Sequence, residues 1–424
     1  MVNKVLIAVV FLFALTGCYD KVELEDRGFI MTIGIDKYQE DDTKTEVEED
    51  GKKNQENEKN GENFNIAGYS EKDSEKSEEE NKDKDISVIT FDNEEDNNRF
   101  TVTINRANSQ QEGSESSRGN STIVANSDTI AGAINLINLY SNQHVYLGYA
   151  EAIVISESIL RDPELFKEVV DTLERHKEVS REIFIVTTEG KASDSLLENL
   201  KSDKMLGMFI SKFYRNNNSF GSSRVFHKNL EDLSKSLRQT GHAIIPKLAT
   251  DNGNVKLNGV AVIKDFKLVD WLNGSSIKGY LWVLGKGEGI TISVEANDTF
   301  VPLNINKNTK KVTFRENNDQ LICEINLKIN GTIEGYNFTE VGLFDENLLD
   351  ELSRKYEEVI TNEVKETFHL FQDVYMIDGF EFFEMLRKRD NDLYEKFKDL
   401  KGTPEAMVLD INVVVEIKSI GAIK

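Results

Sequence analysis

Cysteine is almost absent from this chain of 424 residues: two occur, Cys18 and Cys323. A disulfide scaffold is therefore excluded, and if Cys18 is modified no bridge within the chain is possible. Histidine is also scarce. His144, His176, His227, His242 and His369 are the five, and no two of them stand three or four positions apart. That spacing excludes a helical zinc motif and leaves each histidine as a structural or surface residue. Positive charge is in deficit as well, with 51 Lys and Arg against 75 Asp and Glu and a net charge of −24. Nucleic acid needs a basic face, so it is not expected as a partner, and polybasic attachment to anionic lipid is disfavoured. Long apolar runs are missing too. Val5–Leu15 covers 11 residues, where a spanning helix needs about 20, and no later segment is long and apolar enough.

That short run has a function of its own. Lys4 precedes it, giving the charge-then-apolar order of a secretory signal. Leu15-Thr16-Gly17-Cys18 follows directly. Small residues before a cysteine at this position match a bacterial lipoprotein box: they admit the peptidase, and the thiol sits at the membrane surface to accept diacylglycerol. Residues 1–17 are expected to be a signal peptide and Cys18 the lipidation site. Acyl chains at about 0.8 kcal/mol per buried CH₂ anchor such a chain without a helix.

The acidity is uneven. Residues 39–85 carry 18 acidic and 8 basic side chains and too few apolar ones to offset the entropy of ordering, so the segment reads as a disordered insertion. No Asp-x-Asp-x-Asp-Gly spacing suggests calcium. Residues 108–120, rich in Ser, Gln, Gly and Glu, read as mobile. Strands are expected over Gly28–Asp36, Ile86–Phe91 and Phe100–Asn105, with the acidic segment entering and leaving on neighbouring strands. Ser127-Asp128 offers a cap to a helix carrying Ile130, Ala133, Ile134, Ile137 and Tyr140. Asp162-Pro163 opens another with Leu165, Phe166, Val169, Val170 and Leu173 on one face. Ala152–Ser156 and Ile183–Thr187 read as strands, so the first region alternates strand and helix.

Further on, 204–214 and 230–238 look helical and Pro246 breaks the segment after them. A hairpin is expected from Val260–Ile263 and Phe266–Leu272 around Lys264-Asp265, with Gly279–Leu284 continuing it. Leu321, Cys323, Ile325, Leu327 and Ile329 alternate with more polar neighbours as a half-buried strand does. Asn347–Gln372 carries Leu349, Leu352, Tyr356, Val359, Ile360, Val364 and Phe368 in one helical stripe. Helical pieces over 380–389 and 393–400 precede a closing strand through Leu409, Ile411, Val413, Val415 and Ile417. The fold class is α+β (mixed α/β), in three consecutive domains, each a sheet with flanking helices: 18–202, 203–296 and 297–424.

Chemistry-bearing patterns are few. No Gly-x-Ser-x-Gly elbow suggests a hydrolase. Gly285-Lys286-Gly287-Glu288-Gly289 lacks the Lys-Ser/Thr ending of a phosphate loop and reads as a turn. Cys323 reads as a small buried hydrophobe. Trp271 and Trp282, in or beside the hairpin, read as core residues before an interaction surface. No catalytic residue, metal ligand or cofactor is expected.

Several stretches nonetheless resemble a known family. Gly17-Cys18-Tyr19-Asp20, Glu23-Leu24-Glu25-Asp26 and Ile33-Gly34-Ile35-Asp36 resemble the mature start of the Ger(x)C family, the C subunits of bacterial spore germinant receptors, with Tyr19 where Trp is usual. Leu257–Val262, Leu268–Leu272 and Gly279–Trp282 are similar too, with Asp270 where Gly is usual; Val145–Ser158 and Val413–Gly421 are weaker matches. The resemblance implies three mixed α/β domains in a row. It also implies a non-enzymatic lipoprotein on the outer face of the spore inner membrane, beside two polytopic membrane subunits, in a complex that responds to nutrient germinants. The alternative is a lipid-anchored solute-binding protein serving a transporter, which needs a hinged cleft with convergent polar groups.

Overall fold

A computed structural model describes residues 27–40, 88–92, 97–107, 121–141, 144–200, 205–220, 226–251, 254–296, 299–333, 346–403 and 405–420. Cys18 and the signal region, the acidic segment from 41 to 87 and the stretch 108–120 lie outside them.

The chain begins with strands β1 (Arg27–Lys37), β2 (Val88–Asp92), β3 (Phe100–Ala107) and β4 (Ser121–Ser127). Helix α1 (Ile130–Tyr140) is capped by Thr129, just past the expected Ser127-Asp128; the Thr129 hydroxyl accepts the Gly132 N–H. Then come β5 (His144–Tyr146), β6 (Ala152–Ser156), the single turn α2 (Glu157–Leu160) and α3 (Pro163–Arg175). Asp162 caps α3 and Pro163 opens it, as read from the sequence. β7 (Phe184–Thr188), α4 (Ala192–Leu200), α5 (Leu206–Phe220) and α6 (Leu230–Thr240) lead to β8 (His242–Asp251), β9 (Asn254–Lys264) and β10 (Lys267–Leu272).

These strands make one sheet in the order β10-β9-β8-β7-β6-β1-β3-β4-β2, with β5 beside β1. The steps β1–β6, β6–β7 and β7–β8 are parallel, and the last two are bridged by helical crossovers. One face packs under α1, α3 and α6, where Phe166, Val169 and Leu233 meet Ile33, Ile35 and Ile153. The other packs under α4 and α5, where Leu196, Leu206 and Ile210 meet Val154 and Val186. β6 is buried throughout because both faces are covered.

Two expectations change here. The acidic segment does not join neighbouring strands: β2 is the edge beyond β4, with β3 and β4 between it and β1, a gap of about 15 Å at ordinary strand spacing that a connection of this length spans easily. Pro246 does not break the chain but lies within β8 at a register shift opposite β9, where a bulge tolerates the missing N–H. Its carbonyl oxygen accepts the Thr187 hydroxyl.

The second unit starts with α7 (Ser275–Leu284), continues through β11 (Thr291–Ala296), β12 (Thr299–Asn317), β13 (Gln320–Ile333) and the long helix α8 (Glu346–His369), and ends with α9 (Phe382–Arg389), α10 (Asn391–Phe397) and β14 (Val408–Ile420). Its sheet order is β11-β12-β13-β14. β13 is buried along the expected alternation, with Cys323 inside and free, and the stripe Leu352, Tyr356, Ile360 and Val364 of α8 faces the core. Gly279–Leu284 is helix, not strand. Gly279 to Val283 are five consecutive buried residues, a pattern that does not separate a buried strand from a buried helix. The described strands thus form two sheets: residues 203–296 send β8–β10 to the first and α7 and β11 to the second.

Candidate functional site

The β8–β10 hairpin pair is shared between the two units. Along it, Ala243, Ile245, Ala261, Ile263 and Leu268 belong to the core of the first sheet. Ile244, Val260, Val262 and Leu272, on the opposite face, belong to the core of the second. The period of two therefore places these three strands in both cores. The β9–β10 turn is Asp265-Phe266, both at positive φ (50° and 61°), as a two-residue hairpin of this hand requires.

Helix α7 continues from this hairpin onto α8. Gly279 allows the contact, because a Cβ there would stand 2.1 Å from the Glu363 carbonyl oxygen. Beside it, the Trp282 indole N–H donates to Glu363 Oε2 (2.7 Å) and the Thr367 hydroxyl to the Ser276 carbonyl (2.8 Å). Lys278 Nζ lies 3.6 Å from Glu363 Oε1. Burial pushes the Glu363 carboxyl above its ordinary pKa, against the pull of Trp282 and Lys278. The Gly285–Gly289 loop closes α7 rather than opening a helix. Gly285 is left-handed, the Lys286 N–H returns to the Leu281 carbonyl, and Gly287 lies against the Trp282 ring, which is a helix C-cap and not a phosphate cradle.

A second set of contacts comes from the turn 375–381, just after the π-helical end of α8 at Leu370–Val374. The Tyr375 hydroxyl donates to Asp270 Oδ2 (2.6 Å), and Lys264 Nζ donates to the Tyr375 carbonyl (3.1 Å). His242 Nε2 lies 2.7 Å from the Asp378 carbonyl oxygen, and Nδ1 3.0 Å from that of Thr240. Burial pushes the His242 ring toward its neutral form while Asp378 pulls the other way. The Asp378 carboxylate accepts the Phe382 and Phe383 N–H groups, both at 2.8 Å. Burial raises its pKa and these two donors oppose that. The Lys228 ammonium, with pKa lowered by burial, donates to the Ser236 hydroxyl (2.8 Å), which donates to Glu381 Oε1 (3.1 Å). Met376 and Glu381 sit at positive φ (53° and 58°), an unfavourable conformation for such residues that survives only where surrounding contacts impose it. Tyr280, Phe371 and Phe380 pack beneath the turn with ring centroids 5.0–5.7 Å apart. A cleft of about 290 Å³ opens beside it, lined by Lys228, Asp232, Ser236, Tyr280, Lys286 and Glu381 among others.

Residues 77–250 match the family described as "Spore germination protein N-terminal domain", and 258–421 match "Spore germination B3/ GerAC like, C-terminal". The chain belongs to the Ger(x)C family. A curated relative of the Ger(x)C chain, spore germination protein GerQC of Bacillus cereus, is 26% identical over 129 residues, 30% of this chain and 34% of that protein. The match thus spans about a third of the relative's length. The crystal structure of the GerBC protein aligns with 76% of this chain and 93% of its own, at 18% identity and a TM-score of 0.49.

The stretches that resemble the Ger(x)C pattern have structural roles wherever they are described. Asp36 of Gly34-Ile35-Asp36 is buried and caps α4 by accepting the Ala192 and Ser193 N–H groups (2.7 and 3.0 Å), while α4 packs over Gly34. Leu257–Val262, Leu268–Leu272 and Gly279–Trp282 supply β9, β10 and α7, the elements of the junction, while Val145–Ser158 includes β6 and the last stretch lies largely in β14. Asp270, where the pattern has Gly, supplies the acceptor for Tyr375. Cys18 lies outside the described residues. Trp282 is fully buried and Trp271 half-buried beside Lys247. Cys323 is buried, with its thiol pKa pushed up by burial. Among the described residues no three His, Cys, Asp or Glu side chains gather as metal ligands, and no helix is long and apolar enough to cross a membrane. Sequence reading did not single out Tyr375, Asp378 or Glu381. The available signal was an Asp four residues before a helical Phe-Phe pair, a cap candidate.

Proposed function

We propose that this chain is the membrane-anchored lipoprotein subunit of a nutrient germinant receptor complex that triggers spore germination. In this reading Cys18 carries the lipid and holds the chain on the outer face of the spore inner membrane beside two polytopic subunits. It acts through protein contacts, with no bond made or broken. The supporting observation is the shared hairpin: strands with one face in each core make the two units a single mechanical body, suited to pass displacement from one partner to another. Confinement to the membrane plane raises its effective concentration for membrane partners without added contact energy.

One observation favours the second reading, a lipid-anchored solute-binding protein. The cleft beside the 375–381 turn has nearly the volume of a ligand site and polar groups around its wall. Those groups satisfy one another, however, as the chain from Lys228 through Ser236 to Glu381 illustrates, so the receptor reading is preferred. Spores carrying Cys18→Ala are expected to germinate poorly with one set of nutrients, while vegetative cells grow and take up solutes normally. Normal germination with every nutrient, together with defective uptake, would transfer the case to the solute-binding reading. Mass spectrometry of the native N-terminal peptide checks the acylation itself.

A further inference from the structure

The first sheet carries an aromatic surface patch built from an uncharged stretch of sequence. From Thr129 to Ala150 there is no Lys, Arg, Asp or Glu, 22 residues in a chain that is 30% charged. The stretch builds α1, β5 and the turn Leu147–Tyr149. Leu139, Tyr140 and Tyr149 stand 78%, 57% and 44% exposed on it. Tyr149 packs edge-on against Phe29 (5.0 Å between centroids) and Tyr146 (5.3 Å), so the aromatic group is a preset surface and not a set of loose side chains. β5 runs beside the very start of β1, with Arg27 opposite His144 and Phe29 opposite Tyr146. The α1 end is tied to the same place through the Asn138 side chain, which accepts the Val145 N–H.

We infer that this aromatic patch rests in the interfacial layer of the bilayer as a second contact beside the lipid. The inference builds on the reading that Cys18 is acylated. Arg27 follows Cys18 by nine residues, a tether of at most about 30 Å fully extended. The end of the sheet bearing Leu139, Tyr140 and Tyr149 is therefore the end held nearest the membrane. Tyrosine suits the headgroup region because its ring is apolar and its hydroxyl stays hydrated. Absence of charge within the stretch matters equally: in a chain of net charge −24, Leu139, Tyr140 and Tyr149 enter the interface with no carboxylate of their own segment to desolvate. The charged neighbours of the stretch are Glu178, which accepts the Leu147 N–H (3.3 Å) and lies 3.8 Å from His144, and Arg106, which donates to the Ser141 hydroxyl (3.3 Å). The consequence is orientation. A lipid alone lets the chain tumble on its tether; a second contact presents the junction at a fixed height.

The test replaces Met1–Cys18 by a histidine tag and holds the chain on phosphatidylcholine vesicles through a nickel-chelating lipid. Natural acylation is then not needed for the measurement. Buried Cys323 is the remaining cysteine, so Leu139→Cys, Tyr149→Cys and Val414→Cys each accept one environment-sensitive fluorophore. Val414 is exposed on β14 of the other sheet. Expected on vesicles is a blue shift, with quenching by spin-labelled lipid, at positions 139 and 149 and not at 414. No shift at 139 and 149 in the vesicle-bound chain overturns the inference and leaves acylation of Cys18 untouched. A shift that grows with protein concentration without vesicles overturns it in favour of a second copy of the chain.

Discussion

Replacing Gly279 by Ala tests the contact between α7 and α8 on which the junction depends. Two effects compete. Alanine is the better helix former, a gain of about 1 kcal/mol in a helix interior. Against it, the new Cβ would stand 2.1 Å from both the Glu363 carbonyl oxygen and the Thr367 hydroxyl. A backbone oxygen in the middle of a long helix cannot turn aside, so the helices must separate by about 1 Å, and overpacking of this kind costs roughly 1–3 kcal/mol. Separation also stretches the Trp282–Glu363 and Thr367–Ser276 hydrogen bonds, each contributing about 1 kcal/mol when buried. The clash wins, and Gly279→Ala is expected to destabilise by about 2–4 kcal/mol. Urea unfolding followed by tryptophan emission reads this directly, since Trp282 lies three residues from the substitution. Gly190→Ala is the control, because nothing lies within 4 Å of a Cβ there. A Gly279→Ala midpoint equal to or above that of the wild type, with the control unchanged, would refute the reasoning.

Other substitutions separate the parts of the site. Glu363→Ala leaves the buried Trp282 N–H without its acceptor and is expected to cost about 1–3 kcal/mol. Glu363→Gln keeps an acceptor. Because burial raises the folded-state pKa of Glu363 above 4.5, native protein holds that proton more tightly than unfolded protein, and stability falls as pH rises from 4.5 through the folded value. Glu363→Gln should therefore match or exceed the wild type at pH 7, with the advantage fading toward pH 4; a large loss at pH 7 contradicts this. Tyr375→Phe should cost about 1 kcal/mol. In a double-mutant cycle with Asp270→Gly the two changes should couple by at least about 0.5 kcal/mol, and simple additivity would deny the hydrogen bond between them. Asp36→Ala removes the cap of α4 and should lower stability by about 1–2 kcal/mol, measured by the same unfolding curves; an unchanged midpoint would mean α4 is held by packing alone.

Legibility followed burial. α8 and β13 were plain in the sequence because each buries one face and keeps the other in water, which prints the helical stripe of Leu352, Tyr356, Ile360 and Val364 and the alternation around Cys323. α7 reads as a strand in the sequence because it is buried through Val283 and so has no polar face to set a period. β12 went unread: Asn, Lys and Thr crowd its open face, and Pro302 sits among its apolar positions Val301, Leu303 and Ile305. β8 was obscured by Pro246, whose place at a bulge depends on β9. Strand order is a long-range property, so the edge position of β2 had no local signal. The 375–381 turn was illegible for a related reason. The positive φ angles of Met376 and Glu381 fall at positions with no glycine to announce them, and the bonds that tie the turn to the first sheet run through Tyr375 and Asp378 to residues more than a hundred positions away.

The shared hairpin limits how this part of the chain can vary. An ordinary antiparallel strand at a surface has a wet face, where substitutions drift with little effect. Between Val260 and Ile263 there is no such face: Val260 and Val262 fill one interior, Ala261 and Ile263 the other. A slip of one position would put the small Ala261 where a valine belongs and drive an isoleucine into the space of another. Each core thus checks the register that the other requires. A repacking substitution on either side is felt by both units, so the two halves of the molecule must change together or not at all.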